Sequence, residues 1–153
     1  ICSVMKIENA IKTGHLPLPR KTVISLIYTC NAVREKMAEP LKPFDGSMEQ
    51  FNVLRILRGQ KGEPANLFTI QERMVSKMSN TTRLVDKLIA KKLVKRNTCE
   101  GNRRKVEIFI TEKGLGLLSE IDPVITASEE HTVQNLTPEE MDTLNQLLEK
   151  MRH

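Results

Sequence analysis

The chain has 153 residues, of which 39% are hydrophobic and 28% charged, with three scattered cysteines and a formal net charge of +5. That is enough apolar content for one domain, or one domain with helical extensions, without disulfide or metal staples; the absence of a long apolar run and of a basic-then-apolar leader predicts a cytoplasmic protein with reduced thiols. The charge is uneven: residues 1–68 carry +4, residues 69–113 carry +7 and residues 114–153 carry −6, so a polyanion-binding middle is followed by a part kept away from the polyanion.

A short helix is expected around residues 4–12, followed by Gly14 and the run Leu16-Pro17-Leu18-Pro19, whose prolines predict an extended connector. From Lys21 onward Leu26, Cys30, Val33 and Met37 recur at helical spacing, and Val23, Ile24 and Ile27 broaden the stripe. This helix should end near Glu39, before Pro40, and the width of its apolar face predicts burial against a second chain. Gly46 and Ser47 precede another apolar helix bearing Met48, Phe51, Leu54 and Leu57, closed by Gly59 and Gly62. A compact helix is expected to begin near Thr69, with Glu72 completing a capping box and Ile70, Met74 and Met78 facing inward.

Residues 78–80 read as a turn into the next helix, with Ser79 as N-cap. Thr81, Leu84, Val85 and Leu88 then share one face, while Ser79, Arg83, Asp86, Lys87 and Ala90 share the other, which is polar, small at its start and basic. Two helices joined by a short turn, the second presenting Ser, Asn, Thr and Arg in its first turns, suit a helix-turn-helix reader of the major groove. Leu93 and Val94 open a strand; Val106, Ile108 and Ile110 alternate with Lys105, Glu107 and Phe109 as a second, and residues 99–104 form the hairpin tip between them. After Thr111 comes a long helix with Leu115, Leu118 and Ile121, interrupted or kinked at Pro123. Thr137-Pro138-Glu139-Glu140 opens the last helix with an N-cap, a proline at the first helical position and a capping-box glutamate. Its Met141, Leu144, Leu148 and Met151 form a narrow seam suited to a partner helix.

The run MSNTTRLVDKLIAKKLVKR, with the following EGNRRKVEIFITEKG, resembles the winged helix-turn-helix core of the MarR (multiple antibiotic resistance regulator) family. The R-L-V-D-K-L helix, the L-V-x-R strand entry, the paired wing arginines and the I-T-E-K-G helix start carry the resemblance, which covers about residues 51–118. It implies a mainly α fold with a small β-hairpin wing: a winged helix-turn-helix lobe over residues 41–113, an N-terminal arm and dimerisation helix over 1–40, and C-terminal dimerisation helices over 114–153. It further implies a homodimer that binds a pseudo-palindromic operator in double-stranded DNA, represses transcription and is released by a small aromatic effector. Two features depart from the family pattern: Asn102 stands where an aspartate commonly precedes the wing arginines, and the segment before residue 20 is longer than in many members.

Carried over by position, Ser79, Asn80, Thr82 and Arg83 lie at the major-groove end of the recognition helix. Arginine makes bidentate contacts to guanine and asparagine to adenine, each pair discriminating by ~1–3 kcal/mol, while hydroxyls near a helix N-terminus suit phosphates. Arg103 or Arg104 on the wing suits the narrow minor groove, and Lys87, Lys95 and Arg96 suit phosphates. Asp86, a carboxylate among these cations, is expected to pair with Arg83 three residues earlier and to orient it. For an effector pocket the candidates are Tyr28, which reads more readily as a core or interface aromatic, and Cys30, whose residue type favours a buried structural thiol over an oxidant sensor. Cys99 lies near Arg96, Arg103 and Arg104, whose charges act to lower its pKa, which makes it a further, weaker candidate for oxidation.

His15, His131 and His153 are far apart in sequence, no Cys/His pair has zinc-ligand spacing, and neither a phosphate-binding glycine loop nor a G-x-S-x-G elbow is present. No catalysis, cofactor or metal site is therefore expected. The competing reading from another class is a helical protein-interaction module whose winged helix binds an acidic protein partner.

Overall fold

Most of the helix boundaries follow from side chains that cap the first turn. A computed structural model of the chain describes residues 5–99 and 102–152, with the backbone alone at 99 and 102–105. Two units are distinguished, Ile1–Lys36 and Met37–His153.

The first unit contains α1 (Ile7–Ala10) and most of α2 (Leu18–Ala38). α1 is shorter than its sequence pattern predicts, and Lys12 beyond it takes a left-handed backbone (φ 52°). Lys21 Nζ lies 2.8 Å from the Glu8 carboxylate, and its hydrogen bond, with help from the Glu8 backbone, holds that carboxyl below the usual glutamate range. The expected extended connector through Pro19 is corrected: α2 starts at Leu18, and the Pro17 carbonyl accepts the Lys21 N–H at 2.9 Å. Proline in a first turn lacks only an N–H that would have no intrahelical partner, so the pair starts the helix instead of preventing it. Along α2, Val23, Leu26, Ile27, Tyr28 and Val33 are all exposed in the single chain.

The second unit opens with Met37 and a 3-10 turn, Glu39–Phe44, that accommodates Pro40 and Pro43. α3 (Met48–Arg58) is capped by the Ser47 hydroxyl, which accepts the Gln50 N–H at 3.2 Å, and it buries Phe51, Val53, Leu54 and Leu57. α4 (Leu67–Arg73) begins three residues earlier than the capping-box reading placed it. Asn66 is its N-cap, accepting from Thr69 N at 2.7 Å, because an asparagine there satisfies the first-turn donors before Thr69 is reached. Ile70 and Met74 are buried as expected, but Met78 is 95% exposed. The helix ends at Met74, whose backbone is extended (ψ 135°), so the helical spacing no longer applies four residues on.

α5 (Thr81–Ala90) buries Thr81, Val85 and Leu88. The wing follows as an antiparallel pair, β1 (Val94–Cys99) and β2 (Asn102–Ile110), in register from Val94 opposite Ile110 to Thr98 opposite Val106, with an irregularity before Cys99 opposite Asn102. The strands thus reach further toward the tip than the expected hairpin end at 99–104. Ala65 adds an isolated bridge, exchanging both backbone hydrogen bonds with Ile108 at 2.8 and 2.9 Å, which fixes the entry to α4 against the wing.

α6 (Glu112–Val133) runs without a break through the exposed Pro123. Its N-cap, Thr111, is a junction: the hydroxyl accepts Gly114 N–H at 3.1 Å and donates to the Lys92 carbonyl at 2.8 Å, while its own N–H reaches the Leu93 carbonyl at 3.1 Å. α7 (Pro138–Met151) has the reciprocal capping box read from its sequence, with Glu140 N–H on the Thr137 hydroxyl at 3.2 Å and Thr137 N–H on the Glu140 carboxylate at 2.9 Å. No residue of α7 is buried; Leu144, Leu147 and Met151 are exposed. The core of this unit is built from α3, α4, α5, the base of the wing and α6, with Leu54, Ile70, Val85, Leu88, Ile108 and Leu118 at its centre. Among the described residues, no helix is long and apolar enough to cross a membrane.

Candidate nucleic-acid interface

The polar face of α5 is organised from its N-cap. The structure assigns the cap to Asn80, not to Ser79: Asn80 Oδ1 accepts Arg83 N–H at 3.0 Å. Ser79 instead donates its backbone N–H to the Ser76 carbonyl at 3.2 Å, and its hydroxyl oxygen is buried with no partner among the described residues. The cap engages one lone pair of the Asn80 amide and leaves its two N–H donors available. Thr82, Arg83, Asp86, Lys87 and Ala90 are exposed on the outer face, opposite buried Thr81, Val85 and Leu88.

Asp86 does not pair with Arg83, as its helical spacing suggests. Its Oδ1 accepts from Arg96 Nη2 at 2.9 Å, across from α5 to β1. The adjacent strand brings a planar guanidinium within hydrogen-bond reach of the carboxylate. The Arg83 guanidinium has no partner among the described residues, while Arg96 is held beside α5 and Asp86 has its charge offset. Lys95, on the other side of the strand, lies 5.3 Å from the centre of the Phe109 ring opposite it in the register. This contact steers the long side chain without neutralising it.

Lys87 lines an open cleft of about 690 Å³ between the end of α5 and the start of α3, together with Lys42, Lys91, Asp45, Ser47 and Gln50. Lys91 is already engaged there, 3.1 Å from the Asp45 carboxylate and 3.3 Å from Gln50 Oε1. Nothing local in the sequence marks this cleft, because its two walls lie some forty residues apart. Arg103 and Arg104 belong to β2, but the direction of their side chains, the consequence of Asn102 and the surroundings of the Cys99 thiol lie outside the described residues.

Of the effector candidates, Tyr28 is 48% exposed and Cys30 is exposed on α2. The expected burial of Cys30 is therefore corrected for the single chain, where its side chain is exposed. Among the described residues, no group of three or more His, Cys, Asp or Glu side chains is arranged to hold a metal ion.

Comparison with known proteins agrees with this geometry. A family model described as MarR family matches residues 47–106, from the N-cap of α3 into β2. The HTH-type transcriptional regulator TcaR of Staphylococcus aureus (strain Newman) is 31% identical over 130 residues, covering 83% of this chain and 84% of that protein. Among solved structures, Bordetella bronchiseptica BpsR, described with a mechanism for regulation of its DNA binding by 6-hydroxynicotinic acid, superposes with a TM-score of 0.78 at 22% identity, over 91% of this chain and 98% of the other. AbsC, a MarR family transcriptional regulator from Streptomyces coelicolor, gives 0.76 at 21% identity over 92% and 96%, and the apo form of Escherichia coli MarR gives 0.66 at 23% over 91% and 98%. At these identities the structural likenesses establish the fold: a mainly helical chain with a two-stranded wing.

Proposed function

The chain belongs to the MarR family of transcriptional regulators, and from that premise we propose that it binds a pseudo-palindromic operator in double-stranded DNA as a homodimer, represses transcription and is released by a small aromatic effector. The observation that carries the reading is the outer face of α5, where Thr82, Arg83 and Lys87 are exposed and the one carboxylate among them is neutralised by Arg96 of the wing. In this reading Asn80 and Arg83 read base edges, Thr82 stands at the phosphate-facing start of the helix, and Ser79, its hydroxyl buried, closes the turn before it. Lys87, Lys95 and Arg96 neutralise phosphates, and Arg103 and Arg104 enter the minor groove.

Residues 41–113 then act as the DNA-binding lobe, with 1–40 and 114–153 as the dimerisation parts. The apolar faces of α2 and α7 support this, since Ile27, Val33, Leu144, Leu147 and Met151 are exposed in the single chain. A two-fold dimer sets its recognition helices about one helical turn of DNA apart, ~34–36 Å, so a ligand that changes this separation changes affinity without touching a reading residue. BpsR supplies the precedent of an aromatic acid acting on DNA binding. Here Tyr28 and Cys30 are the proposed lining residues.

Selection of bound sequences from random duplexes tests the reading. The expected result is a palindrome with half-sites one turn apart and an affinity that falls steeply with salt, with log–log slope about −0.9 per phosphate neutralised. Arg83→Ala should relax preference at one position per half-site, whereas Lys95→Ala should weaken all duplexes alike. Weak binding without sequence preference would move the assignment to a protein-interaction module.

A further inference from the structure

We propose that the turn entering the recognition helix reads thymine by its methyl group, with Met78 and Val75 as the apolar contacts; the inference rests on the DNA-binding reading above. Met78 is 95% exposed and Val75 is 88% exposed, although both are large apolar side chains in the segment between α4 and α5. They are not exposed by fraying. The Val75 N–H donates to Asn52 Oδ1 of α3 at 2.9 Å, Gln71 Nε2 of α4 donates to the Lys77 carbonyl at 2.9 Å, and the turn closes with Ser79 N–H on the Ser76 carbonyl at 3.2 Å. Lys77 Nζ donates to the Glu72 carbonyl, and the Thr81 hydroxyl donates to Gln71 Oε1. α3 thus holds the backbone at Val75, α4 holds it just before Met78 and the turn's own bond closes it just after, while buried Met74 anchors the start of the turn.

The chemistry of the partner follows from what surrounds them. Met78 lies two residues before the N-cap of α5, and Arg73, Lys77 and Arg83 around the turn are exposed and cationic. A surface that is basic, yet studded with held-out apolar side chains, complements a polyanion carrying isolated apolar groups. The major groove is such a surface, because the thymine C5-methyl is the only apolar group displayed there among donors and acceptors. A valine or methionine against that methyl removes both from water and discriminates T from C, whose hydrogen-bonding edge differs and whose C5 is bare. Methionine, unbranched and polarisable, adapts to the methyl's position as the helix seats.

The test uses the highest-affinity duplex recovered from a random pool and replaces its thymines one at a time by deoxyuridine, which deletes the methyl and keeps every hydrogen-bonding group. The expectation is a thymine fixed in each selected half-site, at which deoxyuridine lowers affinity about fourfold, the transfer value of roughly one buried methyl group. Met78→Ser or Val75→Ser should lower affinity for the unmodified duplex by a similar factor and abolish the deoxyuridine effect at the matched position. Met78→Leu should retain it. Because both side chains are exposed, thermal unfolding of the variants should match the parent. Selected half-sites without a fixed thymine, or a deoxyuridine penalty identical in parent and both serine variants, overturn the proposal while leaving operator binding intact. A pool that yields no preferred duplex overturns both.

Discussion

Gly114 offers the sharpest test of how the wing meets the C-terminal helix. A Cβ at this position would lie 2.4 Å from the Leu93 carbonyl oxygen and 2.7 Å from Ile110 Cγ1, so α6 would have to retreat by about 1 Å to reach ordinary contact distance. The Leu93 carbonyl is not free to yield, since it accepts the Thr111 N–H in the junction that caps α6. Gly116, two residues on in the same helix, has nothing within 4 Å of its Cβ. The two glycines therefore separate helix propensity from packing. Gly116→Ala should stabilise by ~0.5–1 kcal/mol through propensity. Gly114→Ala gains the same term but incurs overpacking of ~1–3 kcal/mol or more against backbone, for a net loss of about 1–2 kcal/mol. At this chain length that lowers Tm by roughly 2–8 °C, since 1 kcal/mol corresponds to about 2–4 °C. Urea and thermal unfolding of both variants at one protein concentration read the difference. Equal stabilisation by the two alanines would show that α6 does not approach the strands this closely.

The other expectations concern the recognition helix and its ends. Asn80→Ala should cost about 1 kcal/mol by removing the N-cap of α5, while Ser79→Ala should change stability by less than about 0.5 kcal/mol; denaturant midpoints of the two decide which residue caps. Lys92 holds a left-handed backbone (φ 62°) just past α5, with its N–H on the Ile89 carbonyl and Leu93 N–H on the Leu88 carbonyl, so Lys92→Gly should raise stability by ~0.5–1 kcal/mol in the same assay. Asp86→Ala removes a negative charge and releases Arg96. It should leave stability within about 1 kcal/mol, as expected for an exposed pair, and increase affinity for random duplex at low salt, whereas Arg96→Ala should decrease it. Titration by fluorescence anisotropy at two salt concentrations checks the opposite signs.

The parts legible from sequence are those whose physics is local. The buried face of α5 follows from the 3.6-residue period through Thr81, Val85 and Leu88, and the start of α7 from a reciprocal cap spanning four residues. What escaped depends on contacts between segments. Ser79 and Asn80 are both competent caps, and the choice falls to Asn80 because Asn52 and Gln71, from other helices, fix the turn one residue short. Met78 follows a helical rhythm from Ile70, but that rhythm stops at the extended Met74. The partner of Asp86 comes from a strand, invisible to a helical spacing rule. Pro17 and Pro19 fit both a connector and a first helical turn; only the Pro17 carbonyl accepting from Lys21 distinguishes them.

These long-range contacts also tie α6 to the outer face of α5. Arg58 of α3 makes a two-pronged contact with Asp122 of α6, at 2.5 and 3.4 Å. α3 in turn holds the entry to the recognition helix through Asn52, while α6 abuts the base of the wing at Gly114, and the wing is tied to α5 by Arg96 and Asp86. The path from α6 to α5 is therefore closed, with one arm through α3 and the turn and the other through the wing. Two arms joining the same elements constrain their mutual placement more than either arm does alone.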